Sequence, residues 1–213
     1  MARLVDSLRA PFKSQLEAVV ATTTGRIGRQ YKSASPFDQL AGELLREATR
    51  AEVALLPGVG YGVSLEAGPI TREALYTLLP HPSKVVTLEL TGRQLTALLE
   101  QSATNLNPGD DLKRVGGLIQ SSGLAWTADL NLPAGQRVRE VRVNGQPLVA
   151  DRSYHVVTHN GTLSGIHRYG TFAAGRDIRK LDQKVTEVVE AGLRRRGTIS
   201  PPVLARVLVV PAK

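Results

Sequence analysis

An apolar run that leads directly into a glycine-spaced loop constrains this chain more than any other feature. Val53-Ala54-Leu55-Leu56 is followed at once by Pro57-Gly58-Val59-Gly60-Tyr61-Gly62. A short, unbroken apolar run bounded by turn residues is typical of a strand that is buried on both faces. The loop lacks the spacing of a dinucleotide fingerprint and opens no predicted helix. The sequence therefore predicts a central strand followed by a tight turn in which glycine permits close backbone approach.

The flanking segments predict a mixture of helices and strands. Ser35-Pro36-Phe37-Asp38 starts a helix, with Ser35 as cap and Asp38 placed to reach back to it. Further along the chain we expect a helix over 71–78, a strand over 86–90, a capping box at 91–94 that opens another helix, strands at 123–126, 138–143 and 154–158 with a turn at Asn144-Gly145, a helix over 181–196 and a strand over 203–210. Because these elements do not alternate strictly, we predict an α+β fold with a mixed sheet and flanking helices.

The first residues predict an amphipathic arm. Apolar residues recur there at helical spacing, at Leu4, Leu8, Phe12, Leu16 and Val19 or Val20. Pro11 starts or kinks the second part of this helix. We therefore divide the chain into an arm at 1–33 and a domain at 34–213.

Composition narrows the classes of partner and the compartment. The net charge is +8, but the basic residues are scattered and aromatic residues make up only 4% of the 213 residues, so we expect no nucleic-acid partner. With no cysteine there is no thiolate metal site or cysteine nucleophile. Residues 1–20 have no unbroken apolar core, and no apolar run is long enough to cross a membrane. We expect a cytoplasmic protein if the chain is complete, and a periplasmic or extracellular one if it is a fragment of an exported precursor.

Several motifs, taken in order, resemble a known domain. They are 53–62, Ala67-Gly68-Pro69-Ile70-Thr71, Leu78-Leu79-Pro80, Leu88-Glu89-Leu90-Thr91-Gly92, Leu118-Ile119-Gln120-Ser121-Ser122-Gly123-Leu124, Val143-Asn144-Gly145-Gln146-Pro147-Leu148 and Tyr154-His155-Val156-Val157-Thr158. In order and spacing this set resembles the C-terminal domain of the 5'-nucleotidase family, which typically reads Ala-Leu-Leu-Asn-Gly-Gly-Gly-Ile-Arg, Ala-Gly-Pro-Ile-Thr, Leu-Pro-Phe and Glu-Leu-Thr-Gly. The resemblance implies a domain that holds the substrate, while a separate N-terminal domain carries the metals and performs the hydrolysis.

Some positions resemble another branch of the same superfamily, the thiosulfohydrolase of the Sox sulfur-oxidation pathway. Its loop reads Ser-Pro-Gly-Phe-Arg-Trp-Gly, and the loop here keeps the Pro-Gly and the final glycine, with Tyr61 in place of tryptophan. Phe37-Asp38-Gln39-Leu40, Asn105-Leu106-Asn107-Pro108 and Arg114-Val115-Gly116-Gly117-Leu118 also look like segments of that enzyme. We therefore favour the Sox-like branch.

The resemblance also indicates the residues that would bind substrate. The arginine of the nucleotidase loop is replaced by Gly62, and the arginine of the Sox loop by Gly60. The two stacking aromatics of the nucleotidases correspond to His81 and Tyr169, and the aspartate between them to His167. The substrate-binding residues implied in this way are Gly58, Gly60, Tyr61, His81, Asn160, His167 and Tyr169.

The sequence contains no recognisable catalytic or metal-binding motif. The superfamily holds its metals with Asp-x-His and Gly-Asn-His-Asp or Glu sequences, and none occurs here. His155 and His159 would share one face of an extended segment, but no carboxylate lies near them in sequence, so we expect neither to bind a metal. We expect no cofactor in this chain, and Mn²⁺ or Zn²⁺ only in a partner catalytic domain.

The sequence therefore favours a substrate-binding domain that is not catalytic alone and acts with a metallophosphatase-like domain or chain, in nucleotide catabolism or sulfur oxidation. The resemblance makes an anionic small molecule or a sulfur-carrier protein a further candidate partner. The alternative is a stand-alone, non-enzymatic module that binds a small ligand or a protein and has repurposed the cleft, because the anion-binding arginine is missing.

Overall fold

The computed structural model describes residues 2–60, 62–204 and 207–212. Its helices are α1 (Ala2–Arg9), α2 (Lys13–Leu16), α3 (Pro36–Thr49), α4 (Arg72–Leu78), α5 (Gly92–Leu106), α6 (Asn160–Leu163) and α7 (Val185–Arg196). The strands are β1 (Val19–Thr23), β2 (Ile27–Gly28), β3 (Val53–Leu56), β4 (Ser64–Leu65), β5 (Gly68–Thr71), β6 (Lys84–Thr91), β7 (Gln120–Ser122), β8 (Leu124–Asp129), β9 (Val138–Val143), β10 (Gln146–Pro147), β11 (Ser153–His159), β12 (Arg176–Lys184), β13 (Thr198–Ile199) and β14 (Val207–Val210).

A five-stranded sheet with the order β12-β6-β11-β3-β7 forms the centre of the molecule. β11 and β3 run parallel, and the other neighbouring pairs run antiparallel. The mixed sheet with helices on its faces confirms the predicted α+β class. Smaller sheets have the orders β10-β9-β8-β14, β13-β1-β5 and β2-β4.

The central strand β3 separates two hydrophobic cores. Ala54 and Leu56 pack into one core with residues of α3, α4 and α7. Val53 and Leu55 pack into the other with residues of α5, β8 and β11. Because successive side chains of a strand point to opposite faces, a strand with a core on each side needs four apolar residues in a row. This explains the unbroken run in the sequence.

Local capping chemistry places the helices as predicted. The Ser35 hydroxyl accepts a hydrogen bond from the backbone N–H of Asp38 at 3.3 Å, and α3 begins at Pro36. Thr91 and Gln94 form the predicted capping box at the start of α5. Asn144 and Gly145, at the end of β9, both have positive φ, as expected of a tight hairpin turn.

The N-terminal segment differs from the prediction. Helical structure ends at Leu16, and Val19 and Val20 belong to β1, which pairs with β5 and β13. The prediction that either valine continues the helical face is therefore wrong, because pairing with distant strands outweighs local periodicity. Residues 19–28, assigned to the arm by sequence, pair with strands from the rest of the chain. In the remaining arm, Leu4, Leu8 and Phe12 are exposed, at 59%, 66% and 57%, while Leu16 is half-buried.

Two further boundaries also differ. The last helix begins at Val185 rather than Leu181, which lies in β12 beside β6. The closing strand is described from Val207 and pairs with β8 in the four-stranded sheet, while part of the predicted range, 205–206, lies outside the described residues. No helix among the described residues has the length and apolar character needed to cross a bilayer.

A buried ion pair joins the end of β2 to the start of α3. Arg29 Nη2 lies 2.8 Å from Asp38 Oδ1, and the two side chains are only 5% and 0% exposed. Nε of Arg29 also donates to both carboxylate oxygens at 3.1 Å, and Nη1 donates to the carbonyl of Leu78 at the end of α4. Burial raises the pKa of Asp38, while the Arg29 guanidinium and the Ser35 hydroxyl oppose this. The pair therefore holds three separate segments of the chain together.

Removing the negative charge of this pair is expected to destabilise the fold strongly. Asp38→Asn leaves the Arg29 charge buried without its counter-charge, which typically costs about 3–5 kcal/mol. We expect a matching decrease in the free energy of unfolding, measured by urea denaturation. Asp151→Asn is the control, since Asp151 pairs with Arg93 at the surface, where the side chains are 70% and 79% exposed. Its unfolding midpoint should equal that of the wild type, and equal effects of the two substitutions would contradict this role of the buried pair.

Candidate functional site

A cleft lies at one end of the five-stranded sheet, where β3 and β11 end and β6 begins. It has a volume of about 100 Å³. Its described lining residues are Arg29, Leu56, Pro57, Val59, Leu79, Pro80, His81, Ser83, His159, Ile166 and Val185. Parallel strands commonly present ligand sites beyond their carboxyl ends, and both parallel strands of this sheet end here.

The cleft is mainly apolar. Leucine, proline, valine and isoleucine side chains make up most of its described wall. Among those lining residues Arg29 alone carries a permanent charge, and it is paired with Asp38. Such a surface favours an apolar group that is oriented by a few polar contacts.

His159, the last residue of β11, supplies one such contact. Its Nδ1 accepts a hydrogen bond from the backbone N–H of Gly161 at 3.1 Å. Since Nδ1 accepts this bond, the neutral ring carries its proton on Nε2. Burial lowers the pKa of His159 to about 4, and the positive charges of His81, His167 and Arg29 act in the same direction. At neutral pH, His159 is therefore an uncharged hydrogen-bond donor.

The glycine-spaced loop after β3 is shaped by packing against the segment before β7. A Cβ on Gly58 would lie 2.0 Å from the carbonyl oxygen of Leu118, and the Gly58 carbonyl accepts from Gly117 N–H at 3.0 Å. Gly60 is exposed, and a Cβ there would lie 3.2 Å from Cβ of Tyr31. The close backbone approach predicted at this loop therefore occurs between two chain segments. Tyr61, a predicted substrate-binding residue, lies outside the described residues.

Two other predicted residues lie at the same end of the sheet. His81 lines the cleft on the segment between α4 and β6. Asn160 is not among the lining residues, because its side-chain oxygen accepts a hydrogen bond from Lys84 N–H at 2.9 Å. The carbonyl of Ser83 in turn accepts from Val185 N–H at 2.9 Å. Asn160 therefore contributes to the cleft by fixing the start of β6 beside the end of β11.

The loop after α6 is arranged differently from the prediction. Tyr169 is fully buried in the second core and packs edge-on against Phe172, with ring centroids 6.3 Å apart. Burial raises the pKa of Tyr169 to about 12. In this arrangement the ring of Tyr169 completes the core and is not among the cleft-lining residues, and its stacking on a ligand stays a prediction. Ile166 is the residue of this loop that lines the cleft.

His167 lies between the cleft and the loop that contains Gly116. Its backbone has a φ of 52°, in the left-handed region, and its carbonyl accepts from Asn105 Nδ2 at 2.8 Å. The ring is half-buried and packs against Gly116, where a Cβ would lie 2.3 Å from Nδ1. Burial lowers the pKa of His167. The described lining of the cleft does not include His167, so the structure does not place this predicted residue in the cleft wall.

The histidine pair on β11 is divided between two places. His155 lies near the other end of the strand, where its backbone N–H donates to Glu52 Oε2 at 3.2 Å, and it lines a separate cavity with Glu89 and Arg179. His159 lines the cleft. Within the described ranges, no three histidine, cysteine, aspartate or glutamate side chains come together in a way that could hold a metal ion.

The structure reveals cleft residues that the sequence analysis missed. Gly62, where nucleotidases have arginine, is exposed with a φ of 72° and has open space where a side chain would be. The guanidinium in the cleft wall comes instead from Arg29, far earlier in the chain. Arg29 lies nine positions before Asp38, and nothing in the local sequence indicates that its side chain reaches the cleft. His159 was considered only as a metal ligand, and its position at the end of β11 is what places it in the cleft.

Comparison with known proteins decides the family. The family model described as the 5'-nucleotidase C-terminal domain matches residues 18–174. This chain belongs to that family. The resemblance noted from the motifs is thereby confirmed.

The relatives include nucleotide and sulfur enzymes. This chain is 29% identical, over 171 residues, to the trifunctional nucleotide phosphoesterase protein YfkN of Bacillus subtilis, and the match covers 76% of the chain. The sulfate thiohydrolase SoxB of Thermus thermophilus, solved with glycerol, is 26% identical with a TM-score of 0.86 and covers the whole chain. A 5'-nucleotidase precursor, also from Thermus thermophilus, has the same TM-score at 22% identity, which shows the shared fold alone.

The chain corresponds to only a part of these relatives. It spans 11% of YfkN, 39% of the SoxB chain and 43% of the nucleotidase precursor. The matches therefore do not by themselves assign the activities and partners of these larger proteins to this chain.

Substitution of Gly58 tests the loop contact. Gly58→Ala places a methyl group against the backbone of Leu118, which cannot move away as a flexible side chain can, so we expect a loss of about 2 kcal/mol in the free energy of unfolding. Gly170→Ala is the control, because no atom lies within 4 Å of its Cβ position. Its effect should stay within about 0.5 kcal/mol. Urea denaturation measures both, and a neutral Gly58→Ala would show that the loop does not pack in this way.

The low pKa of His159 predicts how stability depends on pH. The unfolded chain binds this proton near pH 6.5, and the folded protein only near pH 4. Protonation of His159 therefore favours the unfolded state as the pH falls. The contribution of this residue should lower the free energy of unfolding by about 2 kcal/mol between pH 7 and pH 5. His159→Asn removes the titration and keeps an acceptor for Gly161 N–H.

Urea denaturation of wild type and His159→Asn at several pH values isolates this contribution. The difference in unfolding free energy between the two proteins should change by about 2 kcal/mol between pH 7 and pH 5. A constant difference would mean that His159 titrates alike in the folded and unfolded states. Gly170→Ala, which changes no titratable group, is the control and should follow the wild-type pH dependence.

Proposed function

We propose that this chain is the substrate-binding domain of a two-domain hydrolase of the 5'-nucleotidase and SoxB type. It acts with a metallophosphatase domain or chain that supplies the divalent metal ions, Mn²⁺ or Zn²⁺. The observation that carries the proposal is the cleft where β3 and β11 end, because two motif segments form its wall, one with Leu56, Pro57 and Val59 and the other with Leu79, Pro80 and His81.

The composition of the cleft supports binding rather than hydrolysis as the role of this domain. Hydrolysis by metal ions requires several carboxylate or imidazole ligands around each ion. The described residues contain no such group, so they do not fit the metals, which we assign to the partner. His81, His159 and Arg29 provide polar contacts for a ligand instead.

The N-terminal arm supports a partner domain. Leu4, Leu8 and Phe12 expose their side chains on α1 and the turn that follows it. An apolar helix face in water is unfavourable, and contact with a neighbouring domain would bury it. Arg9 forms an ion pair at 2.6 Å with Glu73 in the first turn of α4, which holds the arm against that helix.

The two kinds of relative leave two substrate classes for the complete hydrolase. YfkN indicates a nucleotide, and SoxB indicates a sulfur compound, either as a small anion or on a sulfur-carrier protein. The alternative function is a non-enzymatic binding module, which is favoured by Gly60 in place of the Sox loop's arginine and by Gly62 in place of the nucleotidase loop's arginine. The two functions differ in whether a catalytic partner needs this chain.

A hydrolysis assay distinguishes these functions. With Mn²⁺ or Zn²⁺ present, the purified chain should release no phosphate from adenosine 5'-monophosphate and no sulfate from a thiol S-sulfonate, R–S–SO3⁻. Addition of a metallophosphatase domain from a relative should give hydrolysis that exceeds that of the added domain alone. In this mixture His81→Ala should raise KM about tenfold, because it removes a polar contact in the cleft.

The controls separate the outcomes. His155→Ala, outside the cleft, should leave KM unchanged. Metal-dependent hydrolysis by this chain alone would contradict the proposal. A partner whose rate is unaffected by the chain, together with thermal stabilisation of the chain by a ligand, would favour the binding module.

A further inference from the structure

We propose that a second cavity, on the face of the five-stranded sheet that packs against α3, binds a small dipolar molecule bearing an ammonium group and a carboxylate. This cavity has a volume of about 490 Å³. Its described lining residues are Ala48, Thr49, Thr87, Leu88, Glu89, His155, Asp177, Arg179 and Leu181.

The second cavity is separate from the cleft. His155 lines the cavity and His159 lines the cleft, four residues further along β11, which corresponds to about 13 Å. The two sets of described lining residues have no member in common. The inference therefore goes beyond the proposed function and does not depend on it.

Two side chains of β6 form the floor of the second cavity. Thr87 and Glu89 alternate with Val86 and Leu88, which pack into the second core, so Thr87 and Glu89 point to the opposite face, toward α3. Thr87 is only 6% exposed, and its hydroxyl has no hydrogen-bond partner within the described part of the chain. A buried hydroxyl without a partner is unfavourable, and a polar ligand in the cavity would satisfy it.

A bulge in β12 brings two opposite charges to the same cavity. Arg176 pairs with Glu89 and Arg179 with Thr87, so β12 has two residues where β6 has one. Asp177, in this bulge, has a φ of 47°, in the left-handed region. A bulge redirects the side chains beside it, and Asp177 and Arg179 both line the cavity. Neither of them forms an ion pair with any described residue, so both charges are available to a ligand.

One end of the second cavity matches a carboxylate. Arg179 lies directly across from Thr87, so a guanidinium and an unpartnered hydroxyl come from adjacent positions of neighbouring strands. Both groups donate hydrogen bonds, and the guanidinium adds a positive charge. A carboxylate accepts charge-assisted hydrogen bonds from such a pair of donors.

The other end matches an ammonium group. Glu89 lies two residues beyond Thr87 on β6, diagonal to Arg179, where backbone positions are about 7–8 Å apart. Asp177 follows the residue that pairs with Glu89 and adds a second carboxylate. Ala48 and Thr49 bring the C-terminal end of α3 to this cavity, and a helix C-terminus carries partial negative charge.

The mixture of charges disfavours a ligand with a single charge. A simple anion would be repelled by the carboxylates of Glu89 and Asp177, and a simple amine would be repelled by the guanidinium of Arg179. A molecule with both charges, placed several ångströms apart, meets an opposite charge at each end. Three histidine, aspartate or glutamate side chains do not come together as metal ligands anywhere in the described ranges, so a metal ion is not the ligand assigned here.

Three probes with the same carbon chain test the inference. 5-Aminopentanoate carries both charges, pentylamine carries only the ammonium group, and pentanoate carries only the carboxylate. Two-dimensional NMR of the backbone amides at 87–89 and 177–181 measures binding at this cavity. We expect 5-aminopentanoate to shift these signals with a Kd about fivefold lower than that of either probe with one charge.

Variants of the lining residues assign each end of the ligand. Arg179→Gln should weaken 5-aminopentanoate until it binds no better than pentylamine, and Glu89→Gln should weaken it until it binds no better than pentanoate. Thr87→Val should raise the Kd about fivefold without lowering the melting temperature, because the hydroxyl has no partner in the free protein. Arg176→Gln and Asp182→Asn, on β12 but outside the described lining, are the charge-matched controls and should keep the wild-type Kd.

The contrary results are clear. Equal affinity for the three probes, or no shift of the signals at 87–89 and 177–181 at millimolar concentration, would overturn the inference. Equal effects of Arg176→Gln and Arg179→Gln would also overturn it, because they would show general attraction to a charged strand. The hydrolysis assay with the catalytic partner concerns the cleft, so this inference and the proposed function can fail separately.

Discussion

The buried pair of Arg29 and Asp38 is the interaction on which the cleft depends. It joins the end of β2, the start of α3 and, through the carbonyl of Leu78, the end of α4. The residues that follow Leu78 form one wall of the cleft. The same pair neutralises the guanidinium that lines the cleft. One interaction therefore determines both the position of the wall and its low net charge.

Much of the fold was predictable because its signals are local. The four apolar residues of β3 predict a strand between two cores, and the cap at Ser35 and the capping box at Thr91 predict the starts of α3 and α5. The strand at Val19 was missed because its spacing also fits a helix and its partners lie about fifty and about one hundred and eighty positions away. Short-range patterns carry no information on such pairings.

The cleft was predictable only in part. The motifs indicated His81 and the loop after β3, and the structure places residues of both in the cleft wall. They did not indicate that Gly58 packs against another backbone, that Tyr169 fills a core, or that Arg29 enters the wall from the start of the chain. Each of these depends on which distant segments meet. A residue type aligned with a family motif therefore predicts a location better than it predicts a role.

The central claim is that this domain holds a substrate but does not itself bind the metals that would cleave it. A crystal structure of the chain grown with Mn²⁺ and adenosine 5'-monophosphate tests it most directly. The account predicts that any nucleotide bound to the chain lies in the cleft, and that the chain holds no metal pair. Two metal ions bridged by a water molecule on this chain, or a nucleotide bound away from the cleft, would contradict it.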